Sequence, residues 1–403
     1  MSHADTETAG PLAGVKVLDL TEGRGLFAGK VLADLGADVV LIEPPRGGPA
    51  RSLGPFKDDT PGAENSLYFL NFNSNKRGIT LNLDASPGRD LLRRLARSVD
   101  VVVEDFPIGR LESLGLDYPA LSEINPAIIL ASVTAFGSAG PYARYKASDI
   151  VSMAMGGLLN VNGPPDAAPA VAPCEQANHS VSATAVFGIM AALLLRTKTG
   201  NGQHVEVSAQ QTMATITGGV WMYGSNTVIA RRSGSQFGAV PGRIFPCRDG
   251  YVHILTIRPN HWQALVEVLG SPETLTGKEW LAMEYRNANP DIIDAYVTEF
   301  TMAHDKLEIA EICQAKGVPC APVNTPADLY QDAHIRQRGT FVEVEHPSVG
   351  RFQFVRPVPV FSQTACRIRR PAPLLGQHNL EVYCQELGLP ERELIELKAD
   401  GAI

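Results

Sequence analysis

An α/β fold, with a large open-sheet domain and a small α/β domain set into it, is what this sequence predicts, on three observations. Val15 to Glu43 (VKVLDLTEGRGLFAGKVLADLGADVVLIE) reads as a strand, a glycine turn, a helix and a second strand, the βαβ unit of a parallel sheet. Val101 to Val103 is a run of three valines, which suits a strand covered on both faces. Val181, Ala185, Val186, Ile189, Met190, Leu193 and Leu194 recur at three- and four-residue spacing, as one face of a buried helix requires. Gly200 and Gly202 break that helix, and Val205, Glu206 and Val207 alternate as a strand does.

The remaining elements follow in order. Residues 87–98 (PGRDLLRRLARS) form an amphipathic helix, 114–126 add another helix, and 127–140 a strand that turns at Gly140 and Pro141. The pattern loosens from Trp221 to Arg243, where RRSGSQFGAVPGR marks a linking loop and Trp221, Tyr223 and Phe237 suit a pocket wall or a core equally. Residues 244–257 read as a hairpin turning at Asp249 and Gly250, followed by helices near 261–269, 290–300 and 306–316. Strands near 341–345 and 352–357 precede the tail. The expected organisation is 1–215 for the first part of the large domain, 216–240 for a linker, 241–325 for the small domain, and 326–403 for a return segment completing the large one.

Composition bounds the function. With 403 residues, 44% of them hydrophobic, the chain can bury a large core. A net charge of −8 argues against a nucleic-acid partner, because phosphate backbones select basic surfaces. The six cysteines include no C-x-x-C pair, so neither a zinc site nor a disulfide framework is indicated, and no metal ligands are expected. The opening MSHADTETAG is polar and no signal peptide, and the apolar run 186–195 falls short of the roughly 20 residues of a membrane span. These features predict a soluble, cytoplasmic protein.

Gly23, Gly25 and Ala28 satisfy G-x-G-x-x-[GA], with Glu43 about 20 residues on, where a ribose-binding acid would stand. Alone, that Rossmann-like pattern would indicate a nicotinamide or flavin oxidoreductase. Many α/β folds, however, use glycines for tight turns.

Longer motifs point elsewhere. The opening is similar to V-L-D-L-x-x-x-x-A-G-P followed by L-A-D-L-G-A-D-V-I-K-x-E, with Arg24, Gly25 and Leu26 where A-G-P is usual. FLNFNSNKRGITLNL resembles N-x-N-K-R-S-I-x-L-D-L, Glu104–Asp105–Phe106 resembles E-N-F, and the tail resembles A-P-x-L-G-x-H-x-x-E-V-L. Gly188 to Leu193 matches G-I-x-A-A-L. Together, from about Leu12 to Ile403, these motifs resemble the family III coenzyme A transferases, which form dimers whose chains thread through one another like links.

The resemblance implies CoA thioesters and carboxylic acids as substrates, with no tightly bound cofactor. It implies CoA contacts at Gly25, at Lys76 and Arg77 for the phosphates, at Asp105 and Phe106, and at Lys146, with Ser148 and Asp149 in the active-site neighbourhood. The family's nucleophilic aspartate stands ten residues before the glycine of G-I-x-A-A-L, and that position here is Asn178.

An amide oxygen is neutral and a weak nucleophile, so ordinary single-chain transfer through Asn178 is not expected. Glu175, His179 or Cys174 are candidates for a displaced role. The preferred expectation is the aspartate-lacking subunit of a heteromeric transferase, an Asp-bearing paralogous chain supplying the carboxylate; a homodimer is the other arrangement. Racemisation needs two opposed proton carriers, and Ser148 and Asn178 stand where the family's His and Asp would be.

Overall fold

The computed structural model describes residues 10–218 and 239–403. The described residues divide into two compact units: 10–159, 171–218 and 338–403 form the first, 160–170 and 239–337 the second. Residues 326–337 thus group with the smaller unit, and 338 opens the return segment. Trp221, Tyr223 and Phe237 lie outside the described residues.

The first unit is built on six parallel strands, β1 (Lys16–Leu20), β2 (Asp38–Glu43), β3 (Arg77–Thr80), β4 (Val101–Glu104), β5 (Ile129–Thr134) and β6 (His204–Ser208), in the order β3-β2-β1-β4-β5-β6. Successive strand residues face opposite ways. Leu18, Leu20, Val40, Ile42 and Val102 therefore meet one core, while Val17, Val39, Val101 and Val103 meet the other. Strand order reverses between β1 and β4, which opens a crevice beyond their carboxyl ends.

The second core is closed by the helix Gln176–Thr199, whose stripe of Val181, Ala185, Ile189 and Ala192 packs against the sheet and the helix Leu26–Asp34. Gly200, at φ 75°, ends it in the left-handed conformation that glycine adopts without steric cost. By length and composition these 24 residues could cross a membrane, more than the run 186–195 indicated, but the buried stripe is that of a core helix. Its other face leaves Phe187 78% and Leu194 64% exposed.

Residues 67–80 are a helix followed by a strand that enter the core. Leu67–Asn73 is a helix, and Lys76 and Arg77 lead into β3. Lys76 is fully buried, its Nζ donating to Asp19 Oδ2 at 2.7 Å and Asn73 Oδ1 at 2.9 Å. Burial lowers its proton affinity and Asp19 opposes that effect. A Cβ on Gly29 would lie 1.9 Å from Asp19 Oδ2, so only glycine lets the helix Leu26–Asp34 pass this pair. Arg77 is held by Asp38 at 2.7 Å, by Glu381 at 2.7 Å and by Glu386. Both cations are internal, and the expectation that they meet CoA phosphates is corrected accordingly.

The outer edge of β3 is covered by the tail. Gly78 N–H donates to His378 Nδ1 at 3.0 Å, Thr80 N–H to Asn379 Oδ1 at 2.9 Å, and Tyr383 Oη–H to Thr80 C=O at 2.8 Å. An edge that would otherwise present unpaired amides is thereby closed. Also in the first unit, β10 (Phe341–His346) and β11 (Gly350–Val355) pair antiparallel. The second unit is a three-stranded antiparallel sheet of β7 (Gly242–Cys247), β8 (Gly250–Leu255) and β9 (Cys320–Pro322) around Phe245, Trp262, Trp280 and Ile293.

Replacing Lys76 with Met leaves the Asp19 carboxylate buried without its cation, and the expected loss is about 3–5 kcal/mol. Urea unfolding measures it. The double variant Lys76→Met with Asp19→Asn is expected to recover a substantial part.

Candidate active site

The crevice is organised by the loop between β1 and the helix Leu26–Asp34. Asp105, just past the end of β4, accepts hydrogen bonds from the backbone N–H groups of Glu22 (2.8 Å), Gly23 (2.9 Å) and Gly25 (2.9 Å). Burial raises the Asp105 carboxyl above its ordinary value, and these amides and Arg24 pull it back. A Cβ on Gly25 would stand 2.5 Å from Thr21 Cγ2, so this glycine is required by packing within the loop.

Such a concave row of amides is what binds pyrophosphate in dinucleotide folds. Here a side-chain carboxylate fills it. Glu43 is equally engaged, since Arg51 grips both its oxygens at 2.8 Å and the pair is buried. The oxidoreductase alternative through Gly23, Gly25 and Ala28 therefore lacks both its phosphate site and its ribose acid. Asp105, expected as a CoA contact, directs its carboxylate at the protein's own backbone.

Beside this loop lies a cleft of about 520 Å³ whose walls include Arg24, Asp105, Phe106, Arg144, Tyr145 and Lys146. Phe106 and Lys146 thus stand where a bound molecule would meet them. Ser148 precedes the helix Asp149–Met155 without capping it through its side chain and does not line the cleft.

Asn178 occupies the first turn of the long helix. Its backbone N–H donates to Asp149 Oδ1 at 2.8 Å, which binds the helix start to the segment following Lys146. One turn on, Ser182 Oγ–H donates to Arg24 C=O at 2.8 Å, docking the β1 loop on the same helical face. A small pocket results, lined by Arg24, Phe27, Tyr68, Glu175, Asn178 and His179.

Glu175 precedes this helix in the left-handed conformation, φ 51° and ψ 50°, which is uncommon for a residue bearing a Cβ. Its Oε2 accepts from Tyr68 Oη–H at 2.8 Å. Burial, followed by this carboxylate, pushes the Tyr68 phenol well above its ordinary value. The structure therefore brings Glu175 to Asn178, as one displaced-carboxylate alternative requires. His179 donates from Nδ1 to Glu175 C=O at 2.8 Å and packs between Phe27 and Phe72, ring centroids 5.0 and 5.5 Å away. Cys174 is exposed outside this pocket. With Ser148 away from the pocket and Asn178 not ionisable, the pair of proton carriers that racemisation needs is not assembled.

Sequence reasoning missed Tyr68, for which the signal is the Tyr68–Phe72 spacing on one helical face. It also missed a second cavity of about 300 Å³ beside the end of β4 and the start of β6, bordered by Glu104, Ser132, Tyr118 and His204. Ser132 Oγ lies 2.9 Å from His204 Nε2, and Tyr118 stacks on that imidazole at 6.0 Å. Burial raises the Glu104 carboxyl to about 7, opposed by Ser132 and by the Phe106 N–H.

The family III coenzyme A transferase model matches residues 12–379. The chain belongs to that family. It is 34% identical to the formyl-CoA:oxalate CoA-transferase of Streptomyces avermitilis, over 97% of this chain and 99% of that protein. It is 30% identical to the succinate–glutarate CoA-transferase of Agrobacterium fabrum, over 96% and 97%. A solved CaiB/BaiF family protein from Brucella suis superposes with a TM-score of 0.84 at 30% identity, covering 94% of this chain and 99% of that one. The fold is therefore that of a family III CoA-transferase, an enzyme class whose substrates are CoA thioesters.

Glu104 holds its proton more tightly in the folded than in the unfolded chain. Its contribution to stability is present below about pH 4.5 and is lost as the pH rises through about 7. Glu104→Gln is expected to remove this slope. Denaturant titrations at pH 5 and pH 8 should show the variant losing less stability across the interval, by up to about 3 kcal/mol.

Proposed function

We propose that this chain binds a CoA thioester in the cleft beside Phe106 and Lys146 and takes part in CoA transfer between carboxylic acids as the subunit without the nucleophilic carboxylate. Asn178 carries the reading. It is anchored by Asp149 at the start of the long helix, in the pocket shared with Arg24, and offers an amide where transfer needs an anionic oxygen. In the full cycle a carboxylate attacks the thioester carbonyl and releases CoA thiolate. The thiolate then attacks the mixed anhydride, leaving CoA on the enzyme carboxylate and freeing the donor acid, and the acceptor acid runs the steps backwards.

An Asp-bearing paralogous chain is proposed as the source of that carboxylate, in an interlocked heteromer acting in the cytoplasm. The exposed apolar stripe of Phe187, Met190 and Leu194 favours a covering chain, since a stripe of this kind marks an interaction surface. Six free cysteines suit a reducing compartment. Asn178 would serve as a hydrogen-bond donor to a thioester carbonyl or a neighbouring carboxylate.

A second reading rests on one observation, the Glu175 carboxylate held by Tyr68 in the same pocket. In it the chain is a complete transferase with a displaced nucleophile. Transfer from succinyl-CoA to a panel of carboxylates by the chain alone separates the two. The subunit reading expects CoA binding with turnover at least about 1000-fold below the heteromer, and a hydroxylamine-sensitive acyl-enzyme appearing in Asn178→Asp. Robust turnover that survives Asn178→Ala and disappears in Glu175→Ala overturns it.

A further inference from the structure

We infer that Arg24 is a carboxylate-binding residue, and that the chain selects substrates in which a free carboxylate reaches the junction between the cleft and the Asn178 pocket. The inference rests on the CoA-transfer reading and adds to it a substrate class.

Arg24 lines both the large cleft and the small pocket that holds Asn178 and Glu175. Its backbone is fixed on every side: the amides of Gly23 and Gly25 bind Asp105, and its own carbonyl accepts from Ser182. The side chain is far less committed. A guanidinium carries five N–H donors, yet Arg24 makes one hydrogen bond among the described residues, Nη2 to Ala147 C=O at 3.2 Å. Its Nε is shielded from solvent and has no partner among those residues.

A donor stripped of water and left unpaired costs free energy, which an incoming acceptor returns. A carboxylate fits best, because it takes two parallel hydrogen bonds from the guanidinium fork. The nearby acids do not take that place. Asp105 is engaged by three amides and Asp149 by Asn178 N–H, so both compensate the Arg24 charge from a distance while burial lowers its proton affinity. On the cleft side Arg144 and Lys146 add positive charge to the approach. The small pocket, with about 10 Å³ of open volume, admits no acyl chain as it stands, so the carboxylate is expected at Arg24 from the cleft side.

The carboxylate has two sources, the distal end of a dicarboxylic acyl-CoA or the free acceptor acid, and calorimetric titration of the full chain distinguishes them. Succinyl-CoA and butyryl-CoA have acyl chains of equal length and differ in the terminal carboxylate. Butyrate and its neutral isostere butyramide, titrated into CoA-saturated protein, test the free acid. Arg24 is expected to give a tenfold or larger preference for the carboxylate-bearing member of one of these pairs. Arg24→Met should abolish that preference, and Arg24→Lys should keep part of it. Wild-type protein that binds CoA with no carboxylate preference in either arm overturns the inference, as does a preference unchanged in Arg24→Met. Should that variant not fold, a preference undiminished in Arg24→Lys counts equally against it. Wild-type protein that binds neither CoA nor either thioester overturns the CoA reading instead. Succinate titrated into the unliganded chain then decides Arg24 separately, binding lost in Arg24→Met supporting it and no binding overturning it.

Discussion

The crevice depends on one carboxylate facing inward. Asp105, at the end of β4, takes three amide donors from the loop that leaves β1, and so couples the two strands between which the sheet order reverses. A chain segment at such a crossing must be held by something, because its amides otherwise point at water or at a ligand. Here the protein supplies its own anion. The loop becomes part of the scaffold, and the side chain it projects into the cleft wall is Arg24.

That arrangement also explains how a dinucleotide fingerprint can sit in a family III CoA-transferase. The glycine spacing satisfies two demands, close packing of Gly25 on Thr21 and amides turned toward a common point, and neither demand specifies what occupies the point. The pattern reports backbone geometry. The occupant is decided by a residue 80 positions away from Gly25.

The sheet was legible wherever a single local period governs it. Alternating or continuous apolar strands translate directly into β1 and β4, and the three- and four-residue stripe from Val181 to Leu194 into the long helix, except that Met190 and Leu194 face outward. Lys76 and Arg77 were not legible, because two adjacent cations between polar residues look the same on a solvated turn and in a buried network. What separates the cases is the position of Asp19, Asp38, Glu381 and Glu386, up to 309 residues distant. In the candidate site, the motifs pointed to Phe106 and Lys146, which line the cleft, and to Asn178 and Asp149, which are joined at the start of the long helix. The left-handed turn at Glu175, which aims its carboxylate at Tyr68, has no local sequence signal, since such residues are ordinarily glycine or asparagine.

The stitching of β3 by His378, Asn379 and Tyr383 has a consequence for the order in which the molecule is made. A ribosome releases β1, β2 and β3 within the first quarter of synthesis, yet the groups that close the outer amides of β3 emerge about 300 residues later. Throughout that interval a nascent chain carries β3 as an uncovered margin while β4 to β6 and the smaller unit are translated. Translation thus leaves this margin open to stray strands until residues 378–383 emerge, which makes the late-arriving segment its built-in guard against misassembly.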